Sequence, residues 1–251
     1  MKAADVFLVI PCYRESARLP NFLPALLMEL EKCAVSVAVQ IVDDGSPADE
    51  QAALLSFVDS LRKDHPCLLE LLCHERNRGK GHAIRAGWAK AGECAWLAFV
   101  DADGAVPPDE TVRVIERALD TPSMPAIICG VRQDASGAAV HRQPLRAFGS
   151  RVFQAWVSAL LRLPINDTQC GLKILPCPFF RINENAWKED RYAFDLELLL
   201  LARQQGLPIA VVPVRWREQA DTRLGLRSAA ILFLDAWRLR KLRKMEYRIE
   251  E

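Results

Sequence analysis

Apolar runs and amphipathic stretches alternate along the first half of the chain. Val6–Ile10 is an unbroken apolar run stopped by Pro11, the pattern of a buried strand. The spacing after it predicts a helix from about Leu19, with Pro20 tolerable in the first turn. Val37–Val42 reads as a second strand, and a helix over roughly Asp49–Lys63 follows it. Leu68–Cys73, Trp96–Val100 and Ala126–Cys129 read as further strands, separated by helices over Gly79–Ala91 and Asp109–Leu119. This order predicts an α/β fold: a Rossmann-like, mostly parallel sheet with helices on both faces. The second half is less regular. It reads as a helix over Leu145–Leu163, a loop at Asp167–Gly171, a helix over Phe194–Gln204, a strand over Ile209–Val214 and a helix from Leu224 to Arg248.

Composition narrows the class. At 251 residues, 51% of them hydrophobic, the chain can bury a large core, which excludes disorder. A net charge of +1 provides no basic field, so nucleic acid is not an expected partner. The eight cysteines lie mostly in or beside apolar runs and form no Cys-x-x-Cys pair. They read as buried free thiols in a reducing compartment rather than as a zinc ribbon or disulfide set. No signal-like segment precedes the first strand, and no run reaches about 18 uncharged apolar residues. The expectation is a cytoplasmic chain without a transmembrane helix.

The chemistry gathers where strands end. Leu97–Val100 runs directly into Asp101-Ala102-Asp103. Residues two apart on an extended chain point the same way, so the two carboxylates offer an oxygen-rich site for Mg²⁺ or Mn²⁺. Pro11-Cys12-Tyr13-Arg14-Glu15 follows the first strand and Asp43-Asp44-Gly45-Ser46 the second. Parallel strands bring these ends to one edge, where α/β sheets bind ligands. Asp44-Gly45-Ser46 also suits a plain turn with a helix cap. Arg76-Asn77-Arg78-Gly79-Lys80-Gly81 has the glycines, cations and helix start of a phosphate loop, without Walker A spacing. His82 follows it and reads either as a pocket residue or as a structural histidine.

These motifs, in this order, resemble those of the family 2 inverting glycosyltransferases with the GT-A fold. Asp167-Thr168-Gln169-Cys170-Gly171-Leu172-Lys173 and Tyr192–Leu199 are similar to blocks of the polyprenyl-phosphate sugar synthases, the glucosyl type first and the mannosyl type next. The resemblance covers about residues 5–218. It implies that Pro11, Tyr13, Glu15 and Asp43 hold base and ribose with Asp44 nearby, and that Lys80 approaches the nucleotide. Asp101 and Asp103 would face the metal-bound diphosphate, Asp103 as the direct ligand. The mannosyl type carries a metal-binding glutamine where this chain has Ala105, a departure that favours the glucosyl type.

Arg132, Arg146 and Ser150 match positions that hold the acceptor phosphate, with Arg142 an added cation and Asp167 either orienting the acceptor loop or capping it. Arginine binds phosphate bidentately, and Arg146 and Ser150 are four apart on one helix face. Asp195 and Glu197 read alternatively as partners of buried polar groups. The implied organisation is a GT-A domain over 1–218, with a nucleotide-sugar half over about 1–120 and an acceptor half over 121–218. A C-terminal amphipathic basic helix occupies 219–251. Ile231–Trp237 followed by Arg238, Arg240, Lys241, Arg243 and Lys244 suits a helix at the inner face of a membrane, or one packed on the domain with a solvated basic face.

The activity implied is metal-dependent transfer of a hexose, glucose from UDP-glucose, onto a polyprenyl (dolichyl or undecaprenyl) phosphate. The alternatives are a transferase with a soluble or glycan acceptor and a non-catalytic adaptor that binds sugar nucleotides. A pyrophosphorylase-type nucleotidyltransferase would need a Gly-rich signature after the first strand, which the sequence lacks.

Overall fold

The computed structural model describes residues 4–119, 126–133, 154, 156–157, 159–163, 165, 167–217 and 226–240, without the side chains of 133 and 226–230. Seven strands form one sheet: β1 (Val6–Cys12), β2 (Val37–Asp43), β3 (Leu72–Cys73), β4 (Trp96–Val100), β5 (Ile127–Gln133), β6 (Leu172–Pro176) and β7 (Ile209–Arg215). The helices are α1 (Leu19–Lys32), α2 (Ala48–Arg62), α3 (Lys80–Trp88), α4 (Pro108–Leu119), α5 (Cys177–Ile182), α6 (Phe194–Gln204) and α7 (Leu226–Leu239). The described residues within 154–161 are also helical. The helix expected over Leu145–Leu163 ends earlier, since Arg162, with φ +52°, and Leu163 are not helical; its remaining residues, with Arg142, Arg146 and Ser150, lie outside the described residues, as does the chain beyond 240.

Strand order is β3-β2-β1-β4-β6-β5-β7. All pairings are parallel except those of β6, which runs antiparallel between β4 and β5. The sequence reading had no strand or helix over 172–182. A lysine at the second position of this five-residue run hides β6, because its charge breaks the apolar pattern that marks buried strands.

The third strand is also shorter than Leu68–Cys73. Only Leu72–Cys73 joins the ladder, with an isolated bridge between Val39 and Leu68. Buried Gln40 accounts for the gap: its amide donates to the Glu70 carbonyl at 2.6 Å and takes the place of a main-chain partner.

Period-two burial splits the core across the sheet. On one face Phe7, Val9, Leu97 and Phe99 pack against Ala83, Ile84, Trp88, Phe194 and Leu198 of α3 and α6. On the other, Leu8, Ile10, Ala98 and Val100 meet Leu23, Leu27, Val58 and Ile115 of α1, α2 and α4. Trp88 stacks against Phe99, Phe180 and Phe194 and donates its indole N–H to Ala98 at 2.9 Å. The order in which strands are added switches sides between β1 and β4, which stay parallel: β2 and β3 extend the sheet on one side of β1, and β4 adds on the other. The carboxyl ends there form the crevice in which open α/β sheets bind ligands.

Candidate active site

Asp101 leaves the end of β4 beside this crevice. Its backbone N–H donates to Gly171 O at 2.9 Å, which fastens the 167–171 loop over it. A side chain at Gly171 would place Cβ 2.2 Å from Asp101 Oδ2, so glycine is what allows the approach. Lys80, the first residue of α3, puts Nζ 2.8 Å from Asp101 Oδ1 and 3.6 Å from Asp195 Oδ2. Behind it, fully buried Lys173 pairs with Asp195 and donates to the carbonyls of Thr168 and Cys170 at 3.0 Å. Acids and lysines thus alternate from Asp101 through Lys80 and Asp195 to Lys173.

Burial pushes the Asp101 carboxyl above its ordinary value; the charges of Asp103 and Asp195 add to this and Lys80 opposes it. Burial alone would lower Lys80, but Asp101 and Asp195 outweigh it and hold the ammonium above the usual lysine value. Asp103 Oδ1 accepts the Ala105 N–H at 2.9 Å across a turn in which Gly104 has φ +69°. Its second oxygen has no hydrogen bond among the described residues. Three acids facing two lysines leave a negative excess at this edge, and the donors are oxygens, which suits a hard divalent cation.

Asp43 and Asp44 are largely engaged by the protein itself. Asp43 Oδ2 accepts the Ser46 N–H at 2.9 Å and the Gln51 amide at 2.8 Å, while Oδ1 takes the Ser46 hydroxyl. Of the turn-and-cap reading of this motif, the turn is present and closed by Asp43, but no side chain caps α2, which follows Pro47. Asp44 reaches across to the basic loop, accepting N–H groups from Gly79 at 2.6 Å and Arg78 at 3.1 Å. Gly45, with φ +70°, sits under Arg76 where a Cβ would stand 2.2 Å from the backbone. The two motifs are thus one assembly.

On the β1 side Glu15 is buried and paired with Arg18, whose Nε donates at 2.7 Å. Arg14, with φ +56°, donates its N–H to Ser46 at 2.8 Å and lies over the Tyr13 ring. Pro11, Tyr13, Glu15, Asp43, Asp44, Lys80, Asp101 and Asp103 all lie at or beside the carboxyl ends of β1, β2 and β4 or the start of α3.

Arg132, in β5, is held by Asp167 through Nε at 2.8 Å and Nη2 at 2.7 Å, and its backbone N–H donates to the same carboxylate. Burial would raise Asp167, but the bonds and charge of Arg132 hold it below the usual carboxylate range. Burial would lower Arg132, but the bonds and charge of Asp167 hold its guanidinium above the ordinary arginine value. Thr168 Oγ1 and Gln169 Nε2 in the loop after Asp167 are buried without a partner among the described residues.

Sequence reasoning passed over His74. It follows β3 directly, and the strand-end rule that found the other clusters would have found it. His74 Nδ1 lies 3.1 Å from Asp44 Oδ1, and its ring meets His82 edge-on at 4.7 Å. Burial, then the charges of Arg78 and His74, push His82 below the ordinary histidine value. Asp195 and Glu197 satisfy buried groups: Asp195 serves Lys173, and Glu197 accepts the N–H groups of Lys188 and Glu189 at 2.7 and 3.0 Å.

A switch-point crevice lined by a carboxylate pair, a lysine and a glycine-bearing basic loop suits a metal-bound phosphate ligand. The description "Glycosyl transferase family 2" matches residues 7–186, and the chain belongs to that family. It is a glycosyltransferase. It is 34% identical to the dolichyl-phosphate beta-glucosyltransferase of Mus musculus over 94% of this chain and 78% of the relative. It is 31% identical to that of Dictyostelium discoideum over 89% and 69%. Among solved structures it resembles the Mycobacterium tuberculosis glucosyl-3-phosphoglycerate synthase in complex with Mn²⁺, UDP-glucose and phosphoglyceric acid. The TM-score is 0.65 at 14% identity, covering 95% and 80% of the two chains. S. aureus TarS residues 1–349 match with TM-score 0.63 at 17% identity, covering 98% and 67%. These likenesses establish the GT-A-type fold.

Proposed function

We propose that this glycosyltransferase moves glucose from UDP-glucose onto a polyprenyl phosphate, with inversion and with Mg²⁺ or Mn²⁺. The carrying observation is the Asp101–Asp103 pair at the switch point, with Lys80 against Asp101. The names of the relatives support the sugar and the lipid, and the Mn²⁺ and UDP-glucose of the structural neighbour support metal and donor.

Asp101 and Asp103 would hold the cation, which offsets charge on the departing nucleoside diphosphate. Lys80 steadies Asp101 and adds a positive charge facing the same group. Pro11, Tyr13, Glu15 and the Asp43–Asp44 turn frame the nucleoside. Arg132, whose other guanidinium nitrogens Asp167 holds, keeps Nη1 for the acceptor phosphate; Arg142, Arg146 and Ser150 are further candidates for that role. A phosphate monoester is anionic near neutral pH, so it needs no strong base. Its oxygen bonds to the anomeric carbon from the face opposite the diphosphate, whose bond to that carbon breaks with UDP leaving. Positioning by Arg132 then dominates the rate.

The test is label transfer from radioactive UDP-glucose to polyprenyl phosphate, read in the organic extract. The expected result is extractable label with Mn²⁺ or Mg²⁺, none with chelator and none with Asp103→Ala. Label that appears only on water-soluble acceptors would overturn the lipid assignment and favour a soluble or glycan acceptor.

A further inference from the structure

The Asp44, His74 and His82 cluster lies beside the nucleotide edge but has a chemistry different from that of Asp101 and Asp103. The three residues come from separate segments: the end of β2, the residue after β3, and the first turn of α3. One ligand-type atom from each falls within a mutual spacing of 4.8 Å. His74 Nδ1 and Asp44 Oδ1 are 3.1 Å apart. His82 Nδ1 is buried with no hydrogen-bond partner among the described residues, and a native buried polar atom of this kind calls for an explanation.

Two imidazole nitrogens and one carboxylate oxygen are the donors of a borderline transition metal, whereas Mg²⁺ and Ca²⁺ take oxygens. We infer that Asp44, His74 and His82 form a second metal site, for a Zn²⁺-class divalent ion, separate from the Asp101–Asp103 pair. Ligand atoms about 2.0–2.2 Å from a tetrahedral zinc stand about 3.4 Å from one another. Asp44 and His74 already meet that spacing, and a turn of the His82 ring closes the remainder.

The outer shell is in place as well. The N–H groups of Arg78 and Gly79 fix the Asp44 carboxylate, as second-shell partners orient metal ligands. An ion there would tie the end of β2 to the start of α3 and brace the 74–82 segment that carries Lys80. The site needs neither donor nor acceptor to fill, so it stands or falls apart from the transfer reaction.

Co²⁺ serves as the probe, since bound to such a donor set it gives a visible ligand-field absorption, with Zn²⁺ as competitor. The full chain is titrated without nucleotide, alongside His74→Ala, His82→Asn and Asp103→Asn. The expected result is a band in the wild type that Zn²⁺ abolishes, that Asp103→Asn retains, and that both histidine variants lose. Zn²⁺ should also raise the melting temperature of the wild type and of Asp103→Asn by several degrees but leave His82→Asn unmoved. Melting of each variant without metal shows that it is folded. No band in the wild type, or a band kept by both histidine variants, overturns the site. So does a band lost only in Asp103→Asn.

Discussion

At the scale of single residues, the site depends on groups that carry no substrate. Gly171 is the sharpest case. Its missing Cβ is the space in which Asp101 Oδ2 sits, so Gly171→Ala must push the carboxylate or the loop aside. A displacement near 1 Å costs about 100-fold in turnover when positioning carries the rate. We expect kcat to fall by about that factor with donor affinity nearly unchanged; an unaltered kcat would show that Asp101 does not need its present position. Lys173 makes the complementary point about charge. Buried whole against Asp195, it is held above the usual lysine value by that carboxylate, against the effect of burial. Lys173→Met leaves buried Asp195 with Lys80, 3.6 Å away, as its remaining lysine partner, and should cost about 3 kcal/mol in denaturant melts. The double variant Lys173→Met, Asp195→Leu should recover much of that loss, and a strictly additive pair would sink the argument. The acids at the strand ends were legible in the sequence because a carboxylate after an apolar run is conspicuous. Lys173 was not, because nothing in a chain marks which charge will be carried inside, and neither was the locking of Arg132 by Asp167, some 35 residues away.

At the scale of elements, hydrophobic period located the parallel strands and the helices between them. Two failures have one cause, which is polar side chains doing main-chain work. Gln40 replaces part of the β3 ladder, and Lys173 sits inside β6 while bonding two loop carbonyls. The seam between the 187–190 segment and α7 shows how charge alone can tune an element. Glu189 is pushed up to about 7 by burial, with the charges of Asp235 and Glu197 adding and Arg238 opposing. A carboxyl raised in the folded state binds more protons there than in the unfolded chain. Its contribution to stability is therefore full below the unfolded glutamate value near 4.5 and is lost as pH rises through about 7. After allowance for solvent screening at this half-buried position, the loss is roughly 1 kcal/mol. Melts between pH 5.5 and 8 should show this decline in the wild type. Glu189→Gln should flatten it, and equal slopes in the two proteins would remove Glu189 as its source.

At the scale of the whole molecule, the proposed function requires this chain to meet a lipid. No helix among the described residues is long and apolar enough to cross a membrane. Of the two readings of the C-terminal helix, the core-packed one describes one face of α7, and the other face is exposed. Leu232, Ala236 and Leu239 are buried, at the three-to-four spacing of a packed face. Leu234 and Trp237 stand 58% and 47% exposed on the other side, with Phe233 beside them. Arg240 stacks on the Trp237 ring at 3.6 Å, which sets a cation against an aromatic of the kind found at headgroup depth. Burying two such side chains in an interface at about 25 cal/mol per Å² should favour binding by a few kcal/mol. Leu234→Ala with Trp237→Ala should therefore lower sedimentation with anionic vesicles by about tenfold or more, while melting changes little because neither side chain is in the core. On the proposed function, the same variant should lose transfer to vesicle-embedded polyprenyl phosphate but keep transfer to a short, water-soluble prenyl phosphate. The crevice reads the phosphate in both cases, and only the first requires the molecule to lie on a bilayer. Parallel loss on both acceptors would mean that α7 supports the acceptor site itself, and unchanged vesicle binding would leave the exposed face without a lipid role.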